Sequence, residues 1–201
     1  MVRAKASGGH KKAPGRVRIG AGSLRGSVLA VPEHPGLRPT PGRVRETLFN
    51  WLRAVLPGAR CLDLFAGSGA LGVEALSRGA AWATFVERDA GLAEALRSNL
   101  GRLGREDAEV ECADAGAWLA GAIRQPFDVV FLDPPFGADL WNRAVADLEA
   151  SGLLAAPAWI HVEAPAGKGV VVPSGWRMHR EGRAGDVHHV LYRRDGAHPL
   201  S

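Results

Sequence analysis

From residue 60 onward, short apolar runs alternate with longer amphipathic segments. Short apolar runs bounded by turn residues are typical of buried parallel strands, and each amphipathic segment is long enough for a crossover helix. The pattern therefore predicts a doubly wound, Rossmann-like α/β sheet. Predicted strands lie near residues 60–65, 82–87, 109–113, 127–132 and 158–163, and predicted helices lie near 69–79, 89–103, 115–123 and 138–150.

The end of this region follows a different pattern. Residues 176–181 and 187–193 are both strand-like, and the link between them around Gly182 and Gly185 is too short for a crossover helix. We therefore expect a mostly parallel sheet that closes with an antiparallel C-terminal hairpin.

A small module precedes the sheet. Residues 16–20 and 27–31 alternate as two short strands of a β-hairpin, and a Pro- and Gly-rich link follows. Thr40 suits a helix N-cap and Pro41 the first helical position, and apolar residues recur at helical spacing up to Pro57. The predicted organisation is a flexible basic tail (1–15), this hairpin, linker and helix (16–58), the sheet domain (59–194) and a C-terminal tail (195–201).

Charge is unevenly distributed along the 201 residues, although the net charge is only +4. Residues 1–60 contain twelve Lys and Arg against two Asp and Glu, whereas residues 61–172 contain eight against sixteen. A segment this basic favours a polyanionic partner, because Lys and Arg that neutralise phosphates release counterions. For residues 1–15 we favour a solvated tail that contacts nucleic acid non-specifically.

The sequence also argues against several classes of protein. No apolar run reaches the ~18 residues of a membrane span, and residues 1–15 lack the apolar core of a signal peptide. Cys61 and Cys112 lie in apolar, strand-like runs, where a reduced thiol acts as a small hydrophobe. His188 and His189 are adjacent in a strand and face opposite ways, so we expect no metal site. We expect a cytoplasmic monomer without disulfides, bound neither to metal nor to membrane.

A glycine turn follows the first strand of the sheet domain. Gly67, Gly69 and Gly72 form a G-x-G-x-x-G pattern, and Glu87 ends the next strand. The spacing alone fits a dinucleotide site. Asp63 discriminates between a dinucleotide and S-adenosylmethionine, because its carboxylate would repel a pyrophosphate but would pair with the ammonium group of S-adenosylmethionine. We therefore predict S-adenosyl-L-methionine as the cofactor, held by Asp63, Phe65, Ala66, Gly67, Ser68, Gly69, Glu87, Arg88, Asp114 and Ala115.

Two of these acids have alternative roles. Asp114 follows the third strand, where it could hold the adenine amino group, cap the next helix or do both. Glu87 is placed to accept ribose hydroxyls, and its alternative is a solvated strand end.

The strand at 127–132 ends in Asp133, Pro134, Pro135 and Phe136, which we predict to be the catalytic turn. Two prolines remove two backbone donors and fix the turn, so that it presents acceptors. The Asp133 carboxylate and the Pro134 carbonyl could each accept an N–H of a nucleobase amine, which favours a pyramidal nitrogen with its lone pair aimed at the methyl donor. Phe136 could stack on the base. A sulfonium methyl group is already activated, so the reaction needs no metal.

These features resemble class I S-adenosylmethionine-dependent methyltransferases, and more narrowly the bacterial 16S rRNA guanine-N2 methyltransferase (RsmD-type) family. The narrower resemblance covers about residues 16–194 and rests on segments 25–26, 36–40, 43–52, 63–79 and 183–185. It implies catalysis at the Asp133 turn, and ribosomal RNA or the small ribosomal subunit as partner. The chain departs from the family pattern at residues 20–24 and at Ser27.

The basic module supplies the predicted RNA-binding residues. They are Arg25, Arg38, Thr40, Arg43 and Arg45. The alternative role for these arginines is that of a solvated or helix-surface side chain that does not contact RNA, above all for Arg43 and Arg45. Other functions remain open on sequence grounds: methylation of DNA adenine or protein glutamine, a nicotinamide-dependent oxidoreductase, or a non-catalytic RNA-binding module.

Overall fold

The computed structural model describes residues 15–34, 42–121, 124–135 and 140–195. The described strands are β1 (Gly15–Arg18), β2 (Val28–Val31), β3 (Arg60–Asp63), β4 (Trp82–Glu87), β5 (Ala108–Cys112), β6 (Phe127–Leu132), β7 (Leu154–Pro165), β8 (Trp176–Ala184) and β9 (Val187–Arg194). The described helices are α1 (Gly42–Trp51), α2 (Ala70–Ser77), α3 (Ala90–Arg102), α4 (Ala115–Gly121) and α5 (Trp141–Ala150).

The seven strands from β3 to β9 form one sheet in the order β5-β4-β3-β6-β7-β9-β8. Strands β3 to β7 pair in parallel, and β9 and β8 pair antiparallel. The predicted sheet with its antiparallel C-terminal hairpin is therefore confirmed. The chain order reverses between β4 and β6, which flank β3, so a crevice opens at the carboxyl ends of these strands.

Two apolar cores cover the two faces of the sheet. One face, here called the hairpin face, packs against side chains of β1, β2 and α1–α3. The other, here called the α5 face, packs against α4 and α5. Because side chains alternate along a strand, Cys61 and Phe131 belong to the hairpin face, whereas Leu62 and Leu132 belong to the α5 face.

The β1–β2 hairpin docks on α2 and α3. The Glu74 carboxylate accepts hydrogen bonds from the backbone N–H of Gly20 (2.8 Å) and Ala21 (3.1 Å). Gly22 has φ +83°, and a Cβ there would lie 1.8 Å from the Ser77 carbonyl oxygen. The segment 20–24, where the chain departs from the family pattern, is thus a docking segment whose contacts are largely made by its backbone.

Some predicted details differ. Helix α1 ends at Trp51, and the chain continues as turns towards Leu56. The predicted N-cap and first helical residue, Thr40 and Pro41, lie outside the described residues. The prediction that both cysteines are buried hydrophobes holds for Cys61 but is wrong for Cys112, which is exposed because β5 is an edge strand. In the described parts of the chain, no helix has the length and apolarity to cross a membrane.

Candidate active site

The glycine turn joins β3 to α2, and its geometry requires glycine. Gly67 and Gly69 have φ +50° and +72°. A Cβ on Gly69 would lie 2.3 Å from Leu96, and one on Gly72 would lie 2.2 Å from the Phe85 ring. The absence of these side chains lets α2 lie directly against β4 and α3.

Two N–H groups of this turn donate to buried carboxylates. Gly67 donates to the Glu87 carboxylate (2.8 Å) and Gly72 to the Asp63 carboxylate (3.0 Å). A pyrophosphate site needs such N–H groups to be available for the ligand. Here the turn presents two carboxylates instead, which suits a cationic ligand and argues against a dinucleotide.

Asp63 ends β3 and is 3 % exposed. Burial raises the pKa of its carboxyl to about 7, the Gly72 N–H lowers it and the charge of Glu87 raises it further. Glu87 ends β4, is almost as buried, and accepts through its second oxygen from the Asp89 N–H (2.8 Å). These two acids therefore lie side by side at the carboxyl edge of the sheet.

The other predicted cofactor residues surround these acids. Asp114 follows β5, is exposed, and caps α4 by accepting from the Ala117 N–H (3.1 Å). The capping role is thus present, and the carboxylate is exposed at the carboxyl end of β5. Arg88 is exposed and Phe65 half-buried, whereas the small residues of this set are buried, namely Ala66, Ser68 and Ala115.

The predicted catalytic turn leaves β6 next to β3. The register pairs Asp63 with Phe131, so Asp133 emerges on the same face as Asp63. Asp133 is half-buried, Pro134 is buried and Pro135 is exposed, while Phe136 lies outside the described residues. Burial raises the pKa of Asp133 well above its ordinary value, and the charges of Glu163 and Asp63 raise it further. The sheet thus brings the predicted catalytic turn beside Asp63, one of the predicted cofactor-binding acids.

Sequence reasoning missed two buried groups next to this turn. Glu163 of β7 is 4 % exposed, and its backbone carbonyl accepts from the Trp141 indole N–H (2.8 Å). His161 lies two residues earlier on the same strand, and burial lowers its pKa to about 3. The sequence signal that could have identified them is the occurrence of a carboxylate and an imidazole inside the otherwise apolar run that forms β7.

The predicted RNA-binding residues separate into different environments. Arg25 and Arg43 are exposed, whereas Arg38 and Thr40 lie outside the described residues. Arg45 is buried and donates to the Arg18 carbonyl (3.0 Å), which ties α1 to the hairpin. Arg45 thus faces the protein interior, and the exposed surface of the module carries Arg25 and Arg43.

The donor set fits S-adenosylmethionine. The buried Asp63 carboxylate suits an ammonium group, Glu87 suits hydroxyl donors, and the glycine turn keeps side chains out of the crevice. Among the residues that the structure describes, no group of three or more His, Cys, Asp or Glu has the arrangement of a metal site.

Comparison with known proteins agrees with this geometry. Residues 17–193 match the family described as Conserved hypothetical protein 95. Ribosomal RNA small subunit methyltransferase D of Escherichia coli K12 is 48 % identical over 182 residues, covering 90 % of this chain and 91 % of the relative. The protein of the same name from Haemophilus influenzae Rd is 45 % identical over 183 residues, covering 90 % and 95 %.

A solved structure from Escherichia coli, yhhF, described as a methyltransferase, superposes with a TM-score of 0.84 at 45 % identity, covering 90 % of this chain and 99 % of that one. The similarity therefore spans the hairpin, the glycine turn and the predicted catalytic turn together. The chain belongs to the Conserved hypothetical protein 95 family, the family of the ribosomal RNA small subunit methyltransferase D proteins.

Proposed function

We propose that the protein is a methyltransferase that uses S-adenosylmethionine to methylate the exocyclic N2 amine of a guanine in 16S ribosomal RNA. The carrying observation is the position of the Asp133–Pro134 turn, which leaves β6 directly beside Asp63 of β3, with Glu87 of β4 one strand further along the same carboxyl edge of the sheet. The names of the relatives, which refer to ribosomal RNA of the small subunit, support the substrate class.

In this proposal the cofactor supplies an electrophilic methyl group on positively charged sulfur. Asp63 pairs with its ammonium group, Glu87 accepts from ribose hydroxyls, and Asp114 accepts from the adenine amine. In this proposal the chain holds the cofactor mainly with acceptors, in keeping with the two N–H groups of the glycine turn that donate to protein carboxylates.

The substrate amine is a poor nucleophile, because its lone pair is delocalised into the guanine ring. The Asp133 carboxylate and the Pro134 carbonyl accept its two N–H bonds and hold the nitrogen in a geometry in which the lone pair points towards the methyl group. Because these contacts strengthen as the nitrogen becomes pyramidal, they lower the barrier more than they strengthen ground-state binding.

RNA contact belongs to the basic module in this proposal. Arg25 and Arg43 are exposed and carry planar guanidinium groups suited to phosphates and base edges. The target base would leave its stack to reach the Asp133 turn, since that turn lies inside the crevice. Either free ribosomal RNA or the small subunit could present such a base.

The test is the identity of the product. The wild-type protein, labelled cofactor and either 16S rRNA or small subunits lacking the modification should yield N2-methylguanosine after nuclease digestion and mass spectrometry. Asp133→Ala should lower kcat by at least about 100-fold while S-adenosylhomocysteine affinity stays within about twofold. Asp133→Asn should retain more activity, because its amide oxygen still accepts.

Controls separate the alternatives. Asp128→Asn removes a carboxylate from the start of the same strand, where it accepts from the Arg60 N–H (2.8 Å), and should leave kcat nearly unchanged. DNA and glutamine-containing peptides serve as competing substrates. A 5-methylpyrimidine, a ribose-methylated nucleoside, or full activity in Asp133→Ala would overturn the proposal.

A further inference from the structure

A row of side chains on the hairpin face extends from the catalytic turn across the sheet. The register pairs Phe131 of β6 with His161 of β7, and their rings are in edge contact with centroids 6.5 Å apart. Because side chains alternate along strands, Asp133 and Glu163, each two residues further on, extend towards the same face of the sheet. The two carboxylates are therefore neighbours across the β6–β7 pair.

The surroundings of Glu163 keep it within the protein. It is 4 % exposed, and Trp141 of α5 holds its backbone carbonyl at 2.8 Å. On the next strand the register pairs it with His189, which is also buried and which stacks on Trp51 of α1 at 5.2 Å. A charged residue is rarely kept at such a depth unless it is paired or belongs to a site.

We propose that Glu163 is a positioning residue for Asp133, whose neighbouring carboxylate keeps the Asp133 carboxyl able to take the proton that the substrate amine loses on methylation. This role rests on the proposed function and adds a residue to it. Two like charges at close range oppose each other's ionisation, so each carboxylate increases the proton affinity of the other.

The chemistry explains why a stronger base is useful. The amine nitrogen forms a bond to the methyl carbon, the bond electrons of the donor stay on its sulfur, and the nitrogen becomes cationic. One N–H bond then breaks, and its proton goes to an Asp133 oxygen. A carboxylate with higher proton affinity accepts that proton more readily, which stabilises the transition state.

Other ionisable groups face this pair. Asp63 of β3 lies on the other side of Asp133, and its charge also raises the Asp133 pKa. His161 and His189 face Glu163 from β7 and β9, with ring centroids 5.8 Å apart, and burial lowers the pKa of both. Lys168 lies over the Trp141 ring at 5.5 Å. Burial therefore favours the neutral form of both histidines.

The first experiment needs neither RNA nor methyl transfer. Full-length protein with ¹³C-labelled Asp carboxyl groups is titrated by NMR, and Asp133 is assigned from the signal lost in Asp133→Asn. In Glu163→Gln the Asp133 midpoint should move to lower pH by about one pH unit. Glu163→Asp should keep the wild-type midpoint, and Glu181→Gln on exposed β8 is the matched charge control. An unchanged midpoint in Glu163→Gln overturns the proposal.

The coupling is reciprocal, so a second variant covers the case in which Glu163→Gln does not fold. With ¹³C-labelled Glu, the Glu163 midpoint should move to lower pH in Asp133→Asn, and no movement overturns the proposal. With RNA, Glu163→Gln should lower kcat about threefold to tenfold and move the acidic limb of kcat to lower pH, with KM for RNA unchanged. If Glu163→Gln shifts the Asp133 NMR midpoint but leaves kcat and the acidic limb of its pH profile as in the wild type, the proposed catalytic effect of Glu163 is overturned. Absence of N2-methylguanosine from the wild-type reaction contradicts only the proposed product.

Discussion

The buried Asp63 carboxyl has a pKa raised to about 7, chiefly by burial. In the unfolded chain an Asp ionises near pH 3.9, so between about pH 4 and 7 the folded state holds a proton that the unfolded state has lost. The free energy of unfolding therefore falls as pH rises through this window, and the full cost of ionising Asp63 is present above pH 7.

Asp63→Asn should remove this cost, because an amide oxygen can still accept from the Gly72 N–H. Without ligand, the variant should be more stable than the wild type at pH 8 by on the order of 1–4 kcal/mol, with a smaller difference at pH 5. Urea unfolding at both pH values measures it. A gain that is equal at the two pH values would show that the effect does not come from ionisation of Asp63.

The same substitution should weaken cofactor binding. An ammonium group favours the ionised carboxylate, so the wild-type affinity for S-adenosylhomocysteine should rise between pH 6 and 8, and Asp63→Asn should bind at least about tenfold more weakly with little pH dependence. Calorimetry at three pH values tests this, with NAD as the control ligand. Tight NAD binding together with no binding of S-adenosylhomocysteine would contradict the assignment of the cofactor.

At the level of single residues, sequence reasoning located acids that follow strands and missed acids that lie within apolar segments. Asp63, Glu87 and Asp133 end strands of a predicted doubly wound sheet, so their meeting at one edge follows from topology. Glu163 and Glu74 interrupt apolar runs, and which backbone groups or neighbours they meet depends on strand register and hairpin docking, which local sequence does not specify. The sequence pattern also placed Arg45 among the RNA-binding residues, because local sequence does not specify the packing of α1 on the hairpin that buries it.

Among the elements, the β1–β2 hairpin depends on a close backbone approach to α2. Gly22→Ala would place a Cβ 1.8 Å from the Ser77 carbonyl oxygen at a positive φ, whereas Gly26 has a similar φ of +86° with no atom within 4 Å of its Cβ position. We expect Gly22→Ala to lower the free energy of unfolding by several kcal/mol and Gly26→Ala by only about 1 kcal/mol. Denaturant unfolding of both variants is the measurement, and equal losses would argue against a tight contact with α2.

The elements also show where periodicity is informative. Strands buried on both faces have apolar runs that are easy to recognise, and the short link between β8 and β9 requires an antiparallel pair. Periodicity did not reveal that β9 inserts between β7 and β8, because both orders satisfy the same alternation. Periodicity also did not predict that α1 ends at Trp51, because Leu52 and Leu56 continue the apolar pattern and are buried although they lie beyond the helix.

Across the whole molecule, the basic module and the acidic crevice are parts of one packed structure. Val17, Ile19 and Leu29 of the hairpin region are buried in the same core as α2 and α3. Deleting residues 1–32 would therefore expose that core and confound any binding assay. Substitutions at exposed positions are the appropriate test of RNA contact.

The triple variant Arg16→Gln, Arg25→Gln, Arg43→Gln removes three exposed charges from the module. We expect weaker binding to a 16S rRNA fragment and a plot of log K against log [KCl] whose slope is smaller by about 2, because each lost phosphate contact removes about 0.7–0.9 from the slope. The matched control, with Arg143, Arg177 and Arg180 changed to Gln, loses the same charge from exposed positions on α5 and β8. Affinity for S-adenosylhomocysteine should stay the same in both variants. Equal losses of RNA affinity in the two triples would mean that net charge, rather than the basic module, recruits the RNA.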